Sequence, residues 1–205
     1  MLTVGNIVSD VEQYAVDMLE QHLPASITYH SINHTKEVVD SAREIAFHEK
    51  LSQDELDIVL IAAWFHDVGY IHGCEEHEQR GAEIADEYLK SKGYPDDKIE
   101  MVKRCILATK MPQEPSNKIE KVMCDADLMH LAGEDYFEKA DLLHQEIEKT
   151  KFCKITENEW LEMNNEFLGG HCFFTDYARK TYESAVKANL KKIRERLNSW
   201  KKAKK

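Results

Sequence analysis

Eight apolar residues in succession, Ile58 to Phe65, run without interruption into the charged pair His66-Asp67. A helix of that composition has no polar face to turn toward water, so it must be enclosed on nearly all sides by other elements. The 205 residues are enough chain to build such an enclosure without disulfides or structural zinc. The pair at the end of the run stands where an uncompensated charge is most unfavourable. It must be paired, hydrogen-bonded or bound to metal.

Elsewhere only four prolines and eight glycines interrupt the chain, and apolar residues recur at spacings of three and four rather than alternating. This predicts an all-α protein, a single compact helical bundle over residues 1–205. The first helix is expected from Val4 to Leu23, before Pro24, and the second from Asn33 to Glu49, with Val38, Val39, Ala42, Ile45 and Ala46 on one face. The third begins at Ser52, where Glu55 three residues on completes a capping box. Further helices are expected at 75–92, 96–109, 118–131, 136–149, 157–168 and 174–200. No repeat or linker marks a second domain, and the chain beyond Thr150 reads as an extension on the same core.

Twenty-seven Lys and Arg against 38 Asp and Glu leave a formal charge of -11, which opposes binding of a nucleic-acid polymer. An acidic chain that handles phosphate esters needs a local cation, and a divalent metal is the usual one. Cys74, Cys105, Cys124, Cys153 and Cys172 are odd in number and form no C-x-x-C pair, so they read as reduced and mostly buried. No apolar stretch suggests a signal peptide or a membrane span, and a cytoplasmic protein without a membrane partner is expected. The basic run KKIRERLNSWKKAKK at the end suits the negative pole of a helix C-terminus.

Imidazole and carboxylate groups, which suit divalent metals, occur at several further places. His30 and His34 are four apart and would share a face if helical; His77-Glu78 and Cys124-Asp125-Ala126-Asp127 follow downstream. Asp125 and Asp127 would point about 200° apart on a helix, so both are not expected at one ion. Periodicity does not choose between them, and for His66 and Asp67 a mutual hydrogen bond remains the alternative to metal. Neither His48-Glu49 nor His77-Glu78 completes H-E-x-x-H, which excludes gluzincin-type proteolysis.

In their order and spacing, His34, the His66-Asp67 doublet ending a buried helix, and a later aspartate resemble the HD superfamily of metal-dependent phosphohydrolases. Tyr29-His30, Val68-Gly69, His77-Glu78, Ile106 to Lys110 and Ala126-Asp127-Leu128 are similar to that family as well. The resemblance covers about residues 25–135 as an HD-type metal-binding core, with a helical extension over about 136–205. It implies a divalent ion, with Mn, Mg, Fe, Co, Ni and Zn all compatible, held by His34, His66, Asp67 and Asp127, the last favoured over Asp125 because it follows alanine. His72 and His77 lie where two-metal members carry extra histidines, but Thr109-Lys110 replaces a histidine pair, which argues against a second ion. His77 and Lys110 are then expected to contact phosphate, with Glu78 as an orienter. His30 matches the proton donor of the cyclic-nucleotide phosphodiesterase branch; a histidine that hydrogen-bonds to a ligand is the alternative. His171 could close over the pocket.

The expected activity is metal-dependent hydrolysis of a nucleotide or other small phosphate mono- or diester. The alternatives are a catalytically inactive nucleotide-binding sensor and a di-iron oxygenase, the latter needing more histidines than the chain supplies.

Overall fold

The computed structural model describes residues 4–151 and 153–203. Among these are nine α-helices, two short 3-10 turns and no strand. The first six helices are α1 (Val4–His22), α2 (Ile32–His48), α3 (Gln53–Phe65), α4 (His77–Ser91), α5 (Asp96–Ala108) and α6 (Lys118–Asp127). They close one apolar cluster around α3, whose residues from Asp57 to Phe65 are all buried, as the unbroken apolar run requires. Helix α3 begins with the expected capping box: Glu55 N–H donates to Ser52 Oγ at 3.3 Å and Ser52 N–H to the Glu55 carboxylate at 2.8 Å. The expected face of α2 is buried in the same cluster.

Helices α7 (Tyr136–Thr150), α8 (Glu157–Gly170) and α9 (Asp176–Ala203) bury a second cluster, including Leu131, Tyr136, Trp160, Leu168 and Ile193. The chain beyond Thr150 therefore shares a second core with α7 and the residues just after α6, and is fastened to the first one at particular points. Tyr177 N–H donates to Glu49 at 2.8 Å and its hydroxyl to Glu44 at 2.6 Å. The buried Asp125 carboxylate accepts from the amides of Phe174 at 2.7 Å and Thr175 at 2.8 Å, just ahead of α9.

Several expectations shift. Helix α6 stops at Asp127 and a 3-10 turn, Met129–Ala132, replaces its last turn; Asn189 of α9 holds that turn through the carbonyls of Leu131 and Gly133, each at 3.0 Å. His30 lies ahead of α2, so it and His34 do not share a helix. All five cysteines are free, but only Cys105 and Cys124 are buried, while Cys74 and Cys153 are half-buried and Cys172 is exposed. As far as Ala203 the basic run continues α9, with Arg196 lying 3.8 Å over the Phe137 ring. No helix among the described residues is long and apolar enough to cross a membrane.

Candidate metal centre

Three helix ends meet at one place. His34 lies in the first turn of α2, His66 and Asp67 follow the last turn of α3, and Asp127 ends α6. His34 Nε2 lies 3.5 Å from Asp67 Oδ2 and 3.4 Å from Asp127 Oδ1; His66 Nε2 lies 3.1 Å and 3.6 Å from the same two atoms. Ligand atoms of His34, His66 and Asp127 all fall within 4.8 Å of one another. Asp125, two residues earlier, faces the amides of Phe174 and Thr175 instead.

A 2.8 Å hydrogen bond from His66 Nδ1–H to the Ala63 carbonyl leaves Nε2 as the free nitrogen, turned toward the carboxylates. His66 Nε2 and Asp67 Oδ2 are nonetheless buried without a hydrogen-bond partner. Burial alone would drive the His66 ring neutral, yet Asp67 and Asp127 hold its pKa well above the ordinary value. The histidines likewise overcome desolvation and keep both carboxylates far below the usual range. A lone pair facing two anions requires a cation between them, either a proton or a metal ion. Two ligands bound at 2.0–2.2 Å to one divalent ion stand about 3.0–3.5 Å apart, close to the separations here. The residues therefore fit a divalent ion.

Close backbone approach fixes the rim of the site. After Asp67 the 3-10 turn Val68–His72 packs under the start of α4, and a Cβ at Gly69 would lie 2.0 Å from the His77 carbonyl oxygen. Gly81 is also packed against backbone, its added Cβ falling 2.8 Å from the Phe65 carbonyl oxygen. These contacts bring His77 Nε2 to 3.9 Å from Asp67 Oδ1, with the His77 ring stacked at 4.0 Å on Tyr70. The Tyr70 ring also stacks on His30, ring centroids 4.3 Å apart, and Tyr70 Oη stands 3.3 Å from His30 Nε2.

His30 Nδ1 is bound by the carboxylate of Glu146, from the middle of α7. The second Glu146 oxygen accepts from the amides of Thr28, Tyr29 and His30 at 2.9, 2.8 and 3.1 Å. Burial lowers the His30 pKa, but Asp67 and Glu146 outweigh it and the net shift is upward. Burial raises the Glu146 pKa, and its bond to His30 reverses that to a net lowering. His130, in the turn after α6, donates from Nδ1 to the Asp127 carbonyl at 3.2 Å, and burial with the nearby His34 pushes it down to about 3.

These groups line a cleft of 1060 Å³. His30, His77, Glu78, Asp67 and Asp127 border it. Lys110 does not: its side chain is exposed, and its neighbours Thr109 and Met111 line the cleft in its place. His72 is also exposed, and His171 packs between Phe167 and Phe173 outside the lining. Sequence reasoning missed Glu146, Tyr70, His130 and the wall built by α8. The available signal for Glu146 was an acidic residue beside Leu143 and Ile147 on the apolar side of an amphipathic helix.

A helical bundle in which histidines and aspartates from three helix ends converge defines a class of metal-site domain. The family model of the HD domain matches residues 31–132, and the chain carries an HD domain over this stretch. No curated protein sequence matches it. Among solved structures it is similar to a predicted HD superfamily hydrolase from an uncultured Thermotogales bacterium, with 22% identity, TM-score 0.63 and coverage of 94% of this chain and 92% of that one. A Lactobacillus plantarum protein superposes with TM-score 0.70 at 17% identity, covering 99% of this chain and 98% of that one. A Listeria innocua protein gives 0.65 at 15% identity, covering 96% and 98%. These likenesses establish a shared fold over nearly the whole chain.

Proposed function

We propose that the chain hydrolyses a small phosphate mono- or diester, such as a nucleotide, at a divalent ion held by His34, His66, Asp67 and Asp127. The observation that carries this reading is the buried, partnerless Nε2 of His66 facing two carboxylates with its tautomer fixed from behind. A bound ion would supply Lewis acidity and a water acidified toward neutral pH. The Thermotogales protein is described as a predicted HD superfamily hydrolase, which is in keeping with this reaction class.

The chain's own groups supply the rest. Glu146 holds Nδ1–H of His30 and favours the imidazolium, so Nε2 turns toward the cleft beside Tyr70 Oη with a proton to give to the departing oxygen. His77 donates from Nδ1 to the Cys74 carbonyl at 3.2 Å, which leaves Nε2 on the Asp67 side to meet a phosphoryl oxygen or its water. Lys110, exposed and outside the cleft, has no part in this scheme.

Metal analysis of the purified protein, followed by a panel of phosphate mono- and diesters with the ion-loaded form, tests the reading. The expected result is about one ion per chain and turnover of at least one ester class. Loaded protein that hydrolyses no ester would leave the chain a ligand-binding domain without catalysis.

A further inference from the structure

The cleft has two unlike ends. Its floor is the metal centre with His30 and His77; its outer wall comes from α7 and α8, with Leu143, Ile147, Trp160, Met163 and Phe167. A volume of 1060 Å³ is that of a pocket for a whole small molecule, well beyond one phosphoryl group. Met163 and Phe167 leave 47% and 38% of their surface exposed at this wall. Apolar surface left open beside a buried charged floor fits a ligand that carries both characters.

Charge narrows the ligand further. Among the described lining residues Lys151 is the only Lys or Arg, whereas Glu75, Glu78, Glu146 and Glu166 add carboxylates to those of Asp67 and Asp127. One phosphoryl group can be offset by an ion at the centre. A polyphosphate chain would extend its further charges among carboxylates with no arginine or lysine clamp to receive them.

We propose that the substrate is the ester of a single phosphoryl group with a large aromatic or apolar alcohol. The alcohol packs on Met163, Phe167 and Trp160, and this wall together with the acidic rim selects against polyphosphates. The proposal rests on the phosphohydrolase reading for its chemistry but on the cleft wall for its specificity, so a binding measurement separates the two.

Calorimetry on the ion-loaded protein with naphthylmethylphosphonate and methylphosphonate, neither of which can be hydrolysed at its P–C bond, reads the wall alone. Wild-type protein should prefer the naphthyl compound by at least tenfold. Met163→Ala and Phe167→Ala should each lower that ratio by about tenfold. Both side chains are substantially exposed, so their truncation leaves the two apolar clusters intact, and circular dichroism verifies this. A nucleoside monophosphate should bind at least as tightly as the corresponding triphosphate. Equal affinity for the two phosphonates, an unchanged ratio in both variants, or tighter triphosphate binding would each overturn the proposal. Loss of ester turnover with the naphthyl preference retained would instead overturn only the hydrolase reading.

Discussion

The carboxylate of Glu146 reaches back across 116 residues of chain to hold His30, one oxygen on the imidazole Nδ1 and the other on three consecutive backbone amides. Helix α7 thereby fixes both the position of the Tyr29-His30 segment and the side of the ring that carries its free nitrogen. The helical extension is therefore part of the site.

That geometry makes Glu146 a positioning residue for proton delivery. Glu146→Gln should slow hydrolysis of an unactivated alkyl or nucleotide ester by roughly 10²-fold, within the range ascribed to general acids. A p-nitrophenyl ester, whose leaving group needs no proton, should slow far less, with metal content unchanged. An equal slowing of both esters would assign Glu146 to folding of the Tyr29-His30 segment alone.

Asp127 and Asp125 should separate cleanly. Asp127→Ala should lose the bound ion while keeping its helical content. Asp125→Asn should retain the ion but lower the melting temperature, because it weakens the acceptor for the Phe174 and Thr175 amides, a change of about 1–3 kcal/mol. Metal analysis and thermal denaturation of the two variants report this; ion loss in the Asp125 variant would show that the two positions are coupled.

If four side chains share one ion, removing it leaves buried carboxylates and imidazoles to balance one another. Ion present at 100 times its Kd stabilises by about 2.7 kcal/mol, so dialysis against a chelator should lower the melting temperature of the wild-type chain. The Asp127→Ala variant should show no such drop. An unchanged wild-type transition after verified metal removal would count against the centre.

Gly69→Ala places a Cβ 2.0 Å from the His77 carbonyl oxygen, a backbone atom that cannot swing aside. The start of α4 must shift, and a loss of about 1–3 kcal/mol, the usual range for overpacking, is expected. Because His77 rides on that segment, activity should fall as well. A variant with wild-type melting and kinetics would mean that the turn relaxes at no penalty.

Lys110→Ala should leave kcat and KM within about twofold of wild type, as expected for an exposed surface change. His77→Ala, whose ring borders the cleft, should lower kcat or raise KM. Kinetic loss in the lysine variant equal to that in the histidine variant would bring Lys110 back into the site.

The sequence by itself determined what local order controls. An apolar run without a polar face fixed the enclosed helix α3, the Ser52 and Glu55 pair fixed its start, and the His66-Asp67 doublet marked where buried chain meets charge. Helix geometry also said that Asp125 and Asp127 face different ways, but not which way each faces. Tertiary structure decided that: Asp127 meets the two histidines while Asp125 meets the amides ahead of α9. It also decided the partnership of Glu146 with His30, the exclusion of Lys110, and the apolar wall of α8. The physical reason is the range of the interactions. Caps and periodicity act within a few residues and leave a spacing to read, whereas a contact between helices depends on how whole elements pack and leaves no local pattern in either segment.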